Sequence, residues 1–140
     1  MRKPRPRAVA DIMTKSVVTC GPEDDISQIA ASMQQHKIGS VVILEKGKIV
    51  GILTERDFVK IVEKVGMLLK ADLAKHHMAK PVVTVRSDAS VTDAIKLMQT
   101  NHIRHLVVLD KGLKMVGVIS SRDLMKAARE SMEIQRFPDS

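Results

Sequence analysis

The 140-residue sequence has no tryptophan, no tyrosine and only two phenylalanines, Phe58 and Phe137. Proteins that bind single-stranded nucleic acid usually stack the bases on aromatic side chains. This chain has almost no aromatic surface to offer, so it is a poor candidate for that class of protein.

Cysteine and long apolar runs are also scarce. The single cysteine, Cys20, excludes an intramolecular disulfide bond and is typical of a reducing compartment. No apolar run approaches the roughly 18 residues that cross a bilayer. The N-terminus, MRKPRPRA, lacks the apolar stretch of a secretory signal. We therefore expect a cytoplasmic protein with no membrane partner.

The formal net charge of +7 is unevenly distributed along the chain. Four basic residues alternate with prolines in residues 1–8, which predicts a disordered tail. Such a tail either attracts a polyanion such as nucleic acid or only keeps the protein soluble. Four charges make a weak electrostatic arm, which favours the second interpretation.

The rest of the chain contains one pattern twice. Met13–Thr19 (MTKSVVT) matches Met78–Thr84 (MAKPVVT), 65 residues later, and GILTERD at Gly51 returns as GVISSRD at Gly117. The repeat predicts two copies of one unit that share a core. We expect a basic tail, a first repeat, a linker, a second repeat and a C-terminal tail, at residues 1–8, 9–65, 66–73, 74–132 and 133–140.

Each copy predicts the order β-α-β-β-α. Apolar residues recur at helical spacing from Ile26 to Met33, after an acidic helix start. Lys46-Gly47 separates the apolar strands Val41–Leu44 and Ile49–Leu53, which indicates a hairpin. The first strand is expected at Val17–Thr19 and a further helix after Thr54. The second copy extends from Val82 to about Ala128, and Glu63–Ala79 is expected to be a helical linker.

The repeated Thr/Ser-x-x-Asp sequences, Thr54–Asp57 and Ser120–Asp123, have two interpretations. The spacing matches a capping box, in which the hydroxyl and the carboxylate cap the start of a helix and contribute about 1 kcal/mol. Both copies also lie where a strand ends and a helix begins, a place where α/β proteins bind ligands and anions. A carboxylate there is able to accept hydrogen bonds from vicinal hydroxyls, so capping and binding are compatible.

These motifs, in matching order and spacing from about Val9 to Arg129, resemble a tandem pair of CBS domains, the family named from cystathionine β-synthase. The resemblance implies an α/β fold in which the two repeats pack with pseudo-twofold symmetry and form two clefts. It also implies binding of adenine nucleotides (AMP, ADP or ATP) or S-adenosyl compounds there, with the motif aspartates holding the ribose hydroxyls.

The resemblance assigns binding residues to each cleft. The first cleft is expected to contain Thr54, Asp57, Lys80, Pro81, Val83, Ile103, Arg104, His105 and Arg122. The second is expected to contain Thr14, Ser16, Val18, Ile38, Gly39, Ser40, Arg56, Ser120 and Asp123.

The two clefts are not expected to be equivalent. Arg104 and His105 in the first correspond to Gly39 and Ser40 in the second. Charge-assisted hydrogen bonds to phosphate are about twice as strong as neutral ones. We therefore expect the Asp57 cleft to prefer the more highly phosphorylated or tighter-bound nucleotide. Adenine would pack against aliphatic side chains, with Ile38, Val18, Ile103 and Val83 as candidates.

Other reactive side chains favour structural roles. Neither His76-His77 nor the pair His102 and His105 has a further thiolate or carboxylate at ligand spacing, so we expect no metal. Methionines such as Met33, Met98 and Met115 are expected to fill the core. Cys20 has no neighbouring base that would activate a thiolate. With no catalytic triad or acid/base pair and no cofactor expected, the sequence predicts a binding protein and not an enzyme.

The sequence hypothesis is therefore a regulatory module that senses an adenosyl ligand and transmits this to an unknown protein partner. The resemblance also implies homodimers, through the helices at Phe58–Val65 and Leu124–Met132. The alternative is a nucleic-acid-associated regulator that uses the basic N-terminal tail and takes the repeat pair as its input.

Overall fold

The fold is given by a computed structural model that describes residues 8–65 and 72–136. The predicted order β-α-β-β-α is confirmed in both copies. The first copy contains β1 (Thr19–Cys20), α1 (Ile26–His36), β2 (Ser40–Glu45), β3 (Lys48–Thr54) and α2 (Glu55–Val65). The second contains β4 (Thr84–Arg86), α3 (Val91–Asn101), β5 (His105–Leu109), β6 (Met115–Ser120) and α4 (Ser121–Arg136). Residues 1–7, which include nearly all of the predicted basic tail, lie outside the described part.

The described chain divides into two compact units, each built on a three-stranded sheet. Residues 17–65 with 72–82 carry the sheet β1-β2-β3, and residues 8–16 with 83–136 carry the sheet β4-β5-β6. In both sheets the first pair of strands is parallel and the second pair is an antiparallel hairpin. The same strand order and the same pairing directions arise because the two copies have the same pattern of apolar residues and turns.

The units do not follow the boundaries of the sequence repeats, because each takes in the first segment of the other repeat. Val9 is fully buried in the β4-β5-β6 unit, and its N–H donates to Ala89 O at 2.9 Å. Ala74, at the equivalent position, is fully buried in the β1-β2-β3 unit and donates to Asp24 O at 2.9 Å. Segments 8–16 and 74–82 therefore complete the cores of units formed mostly by the other repeat.

Local signals explain the helix starts and the hairpin. Asp25 caps α1 by accepting from Ser27 N–H at 2.8 Å, and Ser90 caps α3 by accepting from Asp93 N–H at 3.0 Å. The buried face of α1 contains the predicted Ile26, Ile29 and Met33. Lys46 and Gly47 form the two-residue hairpin loop with φ angles of 50° and 77°, as expected for a tight β-turn.

Three predicted elements differ from the structure. The first strand is Thr19–Cys20 and not Val17–Thr19, because parallel pairing with β2 begins only at Thr19. The helix α4 continues past Ala128 to Arg136, into the predicted C-terminal tail.

The third difference is the linker, predicted as a helix over Glu63–Ala79: Glu63–Val65 are helical as the end of α2, but the prediction is wrong for Asp72–Ala79. After α2, residues 66–71 lie outside the described part, and between Asp72 and Ala79 the helical structure is a single 3-10 turn, Ala74–His76. Asp72 O accepts from Ile26 N–H at 2.8 Å, and Leu73 pairs with Asp25 in an isolated bridge. These backbone bonds to the start of α1 replace the bonds that a helix would make.

Within residues 8–65 and 72–136, no helix combines the length and the hydrophobicity that a membrane span requires.

Candidate functional site

Thr54 and Asp57 form the predicted helix cap. Thr54 is the last residue of β3, and α2 begins at Glu55, so Asp57 lies in the first helical turn. Asp57 Oδ2 accepts hydrogen bonds from Thr54 N–H at 2.9 Å and from Thr54 Oγ1 at 3.1 Å. In the first copy the carboxylate part of the predicted capping box is therefore confirmed.

Ser120 and Asp123 form the same cap at the start of α4. Asp123 Oδ2 accepts from Ser120 N–H at 2.9 Å and from Ser120 Oγ at 3.0 Å. Asp123 N–H in turn donates to Ser120 Oγ at 3.2 Å, which completes a reciprocal capping box. This second cap is therefore more complete than the first.

Capping uses only one oxygen of each carboxylate. Among the hydrogen bonds of the described residues, Asp57 Oδ1 has no partner, and Asp123 Oδ1 has only the Thr14 hydroxyl, at 3.5 Å. Both aspartates are half-buried beside the N-terminus of a helix. An ionised carboxylate oxygen accepts up to two hydrogen bonds. Each motif therefore combines a structural cap with an open acceptor, and we call these the Asp57 site (Thr54, Asp57) and the Asp123 site (Ser120, Asp123, Thr14).

Backbone pairing places further predicted residues beside the Asp57 site. Ser40 is the Cα partner of Thr54, and Gly39 O accepts from Glu55 N–H at 3.0 Å. Ile38 precedes them and is half-buried, whereas Arg56 is exposed in the first turn of α2. Other predicted residues in the same unit are Val18, beside β2, and the exposed Lys80 and Pro81, which follow the bridge from Ala79 to Ile52.

A corresponding set lies beside the Asp123 site. His105 is the Cα partner of Ser120, and Arg104 O accepts from Ser121 N–H at 2.9 Å. Arg122 is exposed in the first turn of α4. Ile103, Val83 and Ser16 belong to the same unit, and Val83 O accepts from Val107 N–H at 3.3 Å. The predicted grouping of the binding residues into two clefts, each drawing on both units, stays a prediction.

The structure contains two methionine–glycine contacts that the sequence analysis did not predict. A Cβ placed on Gly51 would lie 2.7 Å from Met78 Cγ and 2.9 Å from Met78 Cβ. A Cβ on Gly117 would lie 2.7 Å from Met13 Sδ and 2.8 Å from Thr14 O. The first glycine of each repeated heptapeptide is thus required because the segment carrying Met78 or Met13 crosses directly over it. A glycine inside a strand is a signal of such an approach.

A carboxylate–histidine cluster was also missed. Asp72 Oδ1 contacts His76 Nδ1 at 2.9 Å, and Asp72 Oδ2 contacts His77 Nε2 at 2.7 Å. These hydrogen bonds hold the pKa of Asp72 below its ordinary value. The expectation that no carboxylate joins His76 and His77 is therefore wrong. In the described residues, no group of three or more histidine, cysteine or acidic side chains is arranged to hold a metal ion.

Cys20 is half-buried, and burial, with a smaller contribution from the charge of Asp24, raises the pKa of its thiol. A raised pKa disfavours the thiolate that nucleophilic chemistry needs.

The family is decided by comparison with known proteins. The family model of the CBS domain matches this sequence twice, at residues 9–64 and 66–130. The chain belongs to the CBS domain family. Its two matches correspond to the two β-α-β-β-α copies, and the motif aspartates Asp57 and Asp123 end the strand–helix junction of each CBS repeat.

Individual CBS relatives agree with this assignment. An uncharacterised protein of Methanopyrus kandleri is 37% identical over 120 residues, which are 85% of this chain and 61% of that relative. The chain therefore spans less than two thirds of that protein's length. The crystal structure of a CBS-domain-containing protein from Agrobacterium tumefaciens superposes with a TM-score of 0.81 at 30% identity, covering 91% of this chain and 98% of that one.

One solved relative carries ligands. The CBS domain pair of protein MJ0100, in complex with 5′-methylthioadenosine and S-adenosyl-L-methionine, has a TM-score of 0.75 and 27% identity. The match covers 85% of this chain and 97% of that one.

Proposed function

We propose that this protein is a regulatory module that binds an adenosine-bearing ligand, either an adenine nucleotide or an S-adenosyl compound, and that it is not an enzyme. The observation that carries the proposal is that only one of the two oxygens of each motif carboxylate takes part in the helix cap. In both copies Oδ2 caps the helix, while Oδ1 remains available as an acceptor at the same helix N-terminus. The adenosyl ligands of the related CBS pair support the ligand class.

The chemistry of the two sites suits a ribose and a nearby anion. Vicinal hydroxyls are able to donate to Oδ1 of Asp57 or Asp123, since a carboxylate oxygen is an acceptor and each carboxylate is already oriented by its cap. The positive N-terminal ends of α2 and α4, with the exposed Arg56 and Arg122 in their first turns, favour a phosphate or a carboxylate. The half-buried aliphatic residues Ile38, Val18, Ile103 and Val83 are the proposed contacts of the base.

Sensing requires that the ligand changes an equilibrium. A bound ligand shifts the populations of two conformations only by the difference in its affinity for them. We propose that adenosyl binding stabilises one arrangement of the strand–helix junctions and thereby alters docking on a protein partner.

Self-association through α2 and α4 is part of the proposal. Val59 and Val62 on α2 are 64% and 45% exposed, and Met125 on α4, at the position equivalent to Val59, is 66% exposed. Phe58, by contrast, packs into the core, so only one side of α2 is available. Val59→Asp with Met125→Asp should shift the protein to monomers in analytical ultracentrifugation. Leu113→Asp, at an exposed apolar residue that belongs to neither helix, is the matched control.

Thermal unfolding with a ligand panel tests the binding function. Ligand at about 100 times its dissociation constant adds roughly 2.7 kcal/mol, which raises the melting temperature by several degrees. We expect such a shift with AMP, ADP, ATP or S-adenosylmethionine, none with GMP, and loss of the shift in Asp57→Ala or Asp123→Ala.

Each aspartate variant also loses a helix cap, so a control for capping is needed. Ser90→Ala removes the cap of α3, which lies in neither motif, and should lower the melting temperature while the ligand shift remains. The proposal fails if no adenosyl ligand produces a shift, or if the shift survives in the double aspartate variant.

A further inference from the structure

The segment at residues 8–14 is held by residues that lie far along the chain. Val9 N–H donates to Ala89 O at 2.9 Å, and Ala10 N–H donates to Ser87 O at 3.0 Å. The side chain of Val9 is fully buried in the core that contains α3, β5 and β6. The start of the segment is therefore docked like a peptide on the unit whose other residues begin at 83.

The end of the segment is anchored on the same unit. Thr14 N–H donates to Val118 O at 2.8 Å, and Val118 N–H donates to Thr14 O at 3.0 Å. Met13 packs against Gly117, where a Cβ would lie 2.7 Å from the methionine sulfur. We call residues 8–14 the N-terminal segment, and we call the surface that holds it the segment groove, formed by Ser87, Ala89, Gly117 and Val118.

A short hinge connects the N-terminal segment to the other unit. Lys15, Ser16 and Val17 lie in neither a helix nor a strand, and the first two are exposed. Val18 O then accepts from Val42 N–H at 3.2 Å, which fastens the chain to β2. The division between the two units falls inside this hinge, between residues 16 and 17. A short hinge between two compact bodies favours the exchange of the hinged element between copies of a protein.

The segment groove is selective for the N-terminal segment. The equivalent segment, residues 74–79, packs on the other unit with Ala74 at the position of Val9, and both side chains are fully buried. Forcing a valine into a site that is packed around alanine costs about 1–3 kcal/mol. Each segment therefore matches one kind of groove, and every copy of the chain carries one groove that fits the N-terminal segment.

We propose that the segment groove of one copy accepts the N-terminal segment of a second copy, so that two copies exchange their segments reciprocally. The exchanged pair keeps the hydrogen bonds and the buried contacts of the segment, because each segment meets an identical groove. The two forms differ in the conformation of the hinge and in the number of chains. This interaction goes beyond the proposed binding function and requires no ligand.

Protein concentration sets the balance between the two forms. A short tether gives a docked group an effective concentration on the order of 1 mM. About half of the chains should therefore be exchanged at about 1 mM protein, and only a few per cent at about 10 µM. Strain in the short hinge shifts the balance further toward the exchanged pair.

Disulfide trapping between copies tests the exchange. Ala8 and Ser90 are partners in an isolated antiparallel bridge, a spacing that a disulfide bond spans. In a Cys20→Ser background, Ala8→Cys is mixed with isotope-labelled Ser90→Cys and equilibrated under reducing conditions at about 1 mM, the effective concentration of the tether. The mixture is then diluted and oxidised at once, and mass spectrometry counts the mixed dimers.

Two controls accompany the mixture. The double variant, Ala8→Cys with Ser90→Cys, is oxidised at low concentration, where an intrachain bond shows that the chain folds and that the two positions meet. A mixture of Ala8→Cys with Gln28→Cys, at an exposed residue of α1, reports disulfides that form by random collision.

We expect mixed dimers well above the collision control, and we expect their share to fall more than tenfold when the mixture is equilibrated at about 10 µM. Inserting Gly-Ser-Gly-Ser after Lys15 should lower the yield, because a relaxed hinge favours the closed chain. A yield no higher than the collision control, in a protein whose double variant forms its intrachain bond, overturns the proposal. So does the absence of both the intrachain and the mixed disulfide, because the segment would then not occupy the groove.

Discussion

The two units of this protein share their topology and caps but differ in the segment that crosses each sheet. In one unit Val9, Met13 and Thr14 occupy the positions that Ala74, Met78 and Ala79 occupy in the other. The methionine and its glycine partner are kept in both units, whereas the buried residue and the residue after the methionine have changed, and Thr14 brings a hydroxyl to within 3.5 Å of Asp123 Oδ1. The elements that build the fold have thus been retained, while the surroundings of the aspartates have diverged.

The largest expected loss of stability comes from replacing the two strand glycines, Gly117 and Gly51. Gly117→Ala places its Cβ against Thr14 O, a backbone atom held by pairing with Val118, so we expect a loss of about 2–3 kcal/mol in the free energy of unfolding. Gly51→Ala meets only side-chain atoms of Met78 and should cost about 1–2 kcal/mol. Urea unfolding measures both.

Substitutions of the contacting methionines test whether the losses come from these contacts or from alanine being unfavourable at any glycine position. Met78→Ala should restore part of the unfolding free energy that is lost in Gly51→Ala. Met13→Ala should restore a smaller part of the loss in Gly117→Ala, because the contact with Thr14 O persists there. Gly112→Ala is the matched control, since its closest contact, Asp110 Oδ1, is at an ordinary 3.4 Å. Equal losses in all three glycine variants would contradict the explanation.

A smaller expected effect is the loss, at acid pH, of a stabilising contribution from Asp72, which lies in only one of the two units. The hydrogen bonds from His76 and His77 lower the pKa of Asp72, so its ionised form is favoured in the folded state. Its contribution is present at pH values above its unfolded pKa, near 3.8, and is lost as the pH falls through the lower folded pKa. Asp72→Asn should cost about 0.5–1 kcal/mol at pH 7, since the pair is partly solvated, and almost nothing near pH 2.

The cause of that pKa shift is checked directly by NMR titration of the Asp72 carboxyl. Replacing His76 and His77 by glutamine should move the pKa of Asp72 back toward its ordinary value. An unchanged pKa in this variant would show that the histidines are not the cause.

The smallest effect concerns the two hairpin loops. Leu113 adopts a left-handed conformation with φ 65° and is 72% exposed, whereas the other hairpin has glycine at φ 77°. Leu113→Gly should stabilise the protein by about 0.5 kcal/mol, because relief of strain exceeds the entropy cost of glycine. Gly47→Ala should destabilise it by about 1 kcal/mol, although no atom lies within 4 Å of the added Cβ. Thermal unfolding compares the pair, and destabilisation by Leu113→Gly would contradict the strain argument.

The features that sequence predicts here are the local ones. The hairpin at Lys46-Gly47, the helix starts after Thr54 and Ser120, and the buried face of α1 follow from turn chemistry, capping and periodicity. The family resemblance rests on the same motifs and is confirmed.

The features that sequence missed depend on contacts between distant segments. Nothing near Val9 indicates that it packs with a unit that begins at residue 83. The linker was expected to be helical because its bonds to Asp24 and Ile26 are not visible in its own residues. The glycine in each motif is visible in the sequence as part of the repeat. Only the structure shows that a methionine packs against it and leaves no room for a larger side chain.

The most direct test of the central claim is a crystal structure of the protein with AMP. The account predicts that a ribose hydroxyl lies within about 3 Å of Oδ1 of Asp57 or Asp123, while Oδ2 of the same carboxylate keeps its cap on Thr54 or Ser120. Bound AMP whose ribose contacts neither aspartate would contradict the claim. So would a complex in which the carboxylate abandons its cap to reach the ribose.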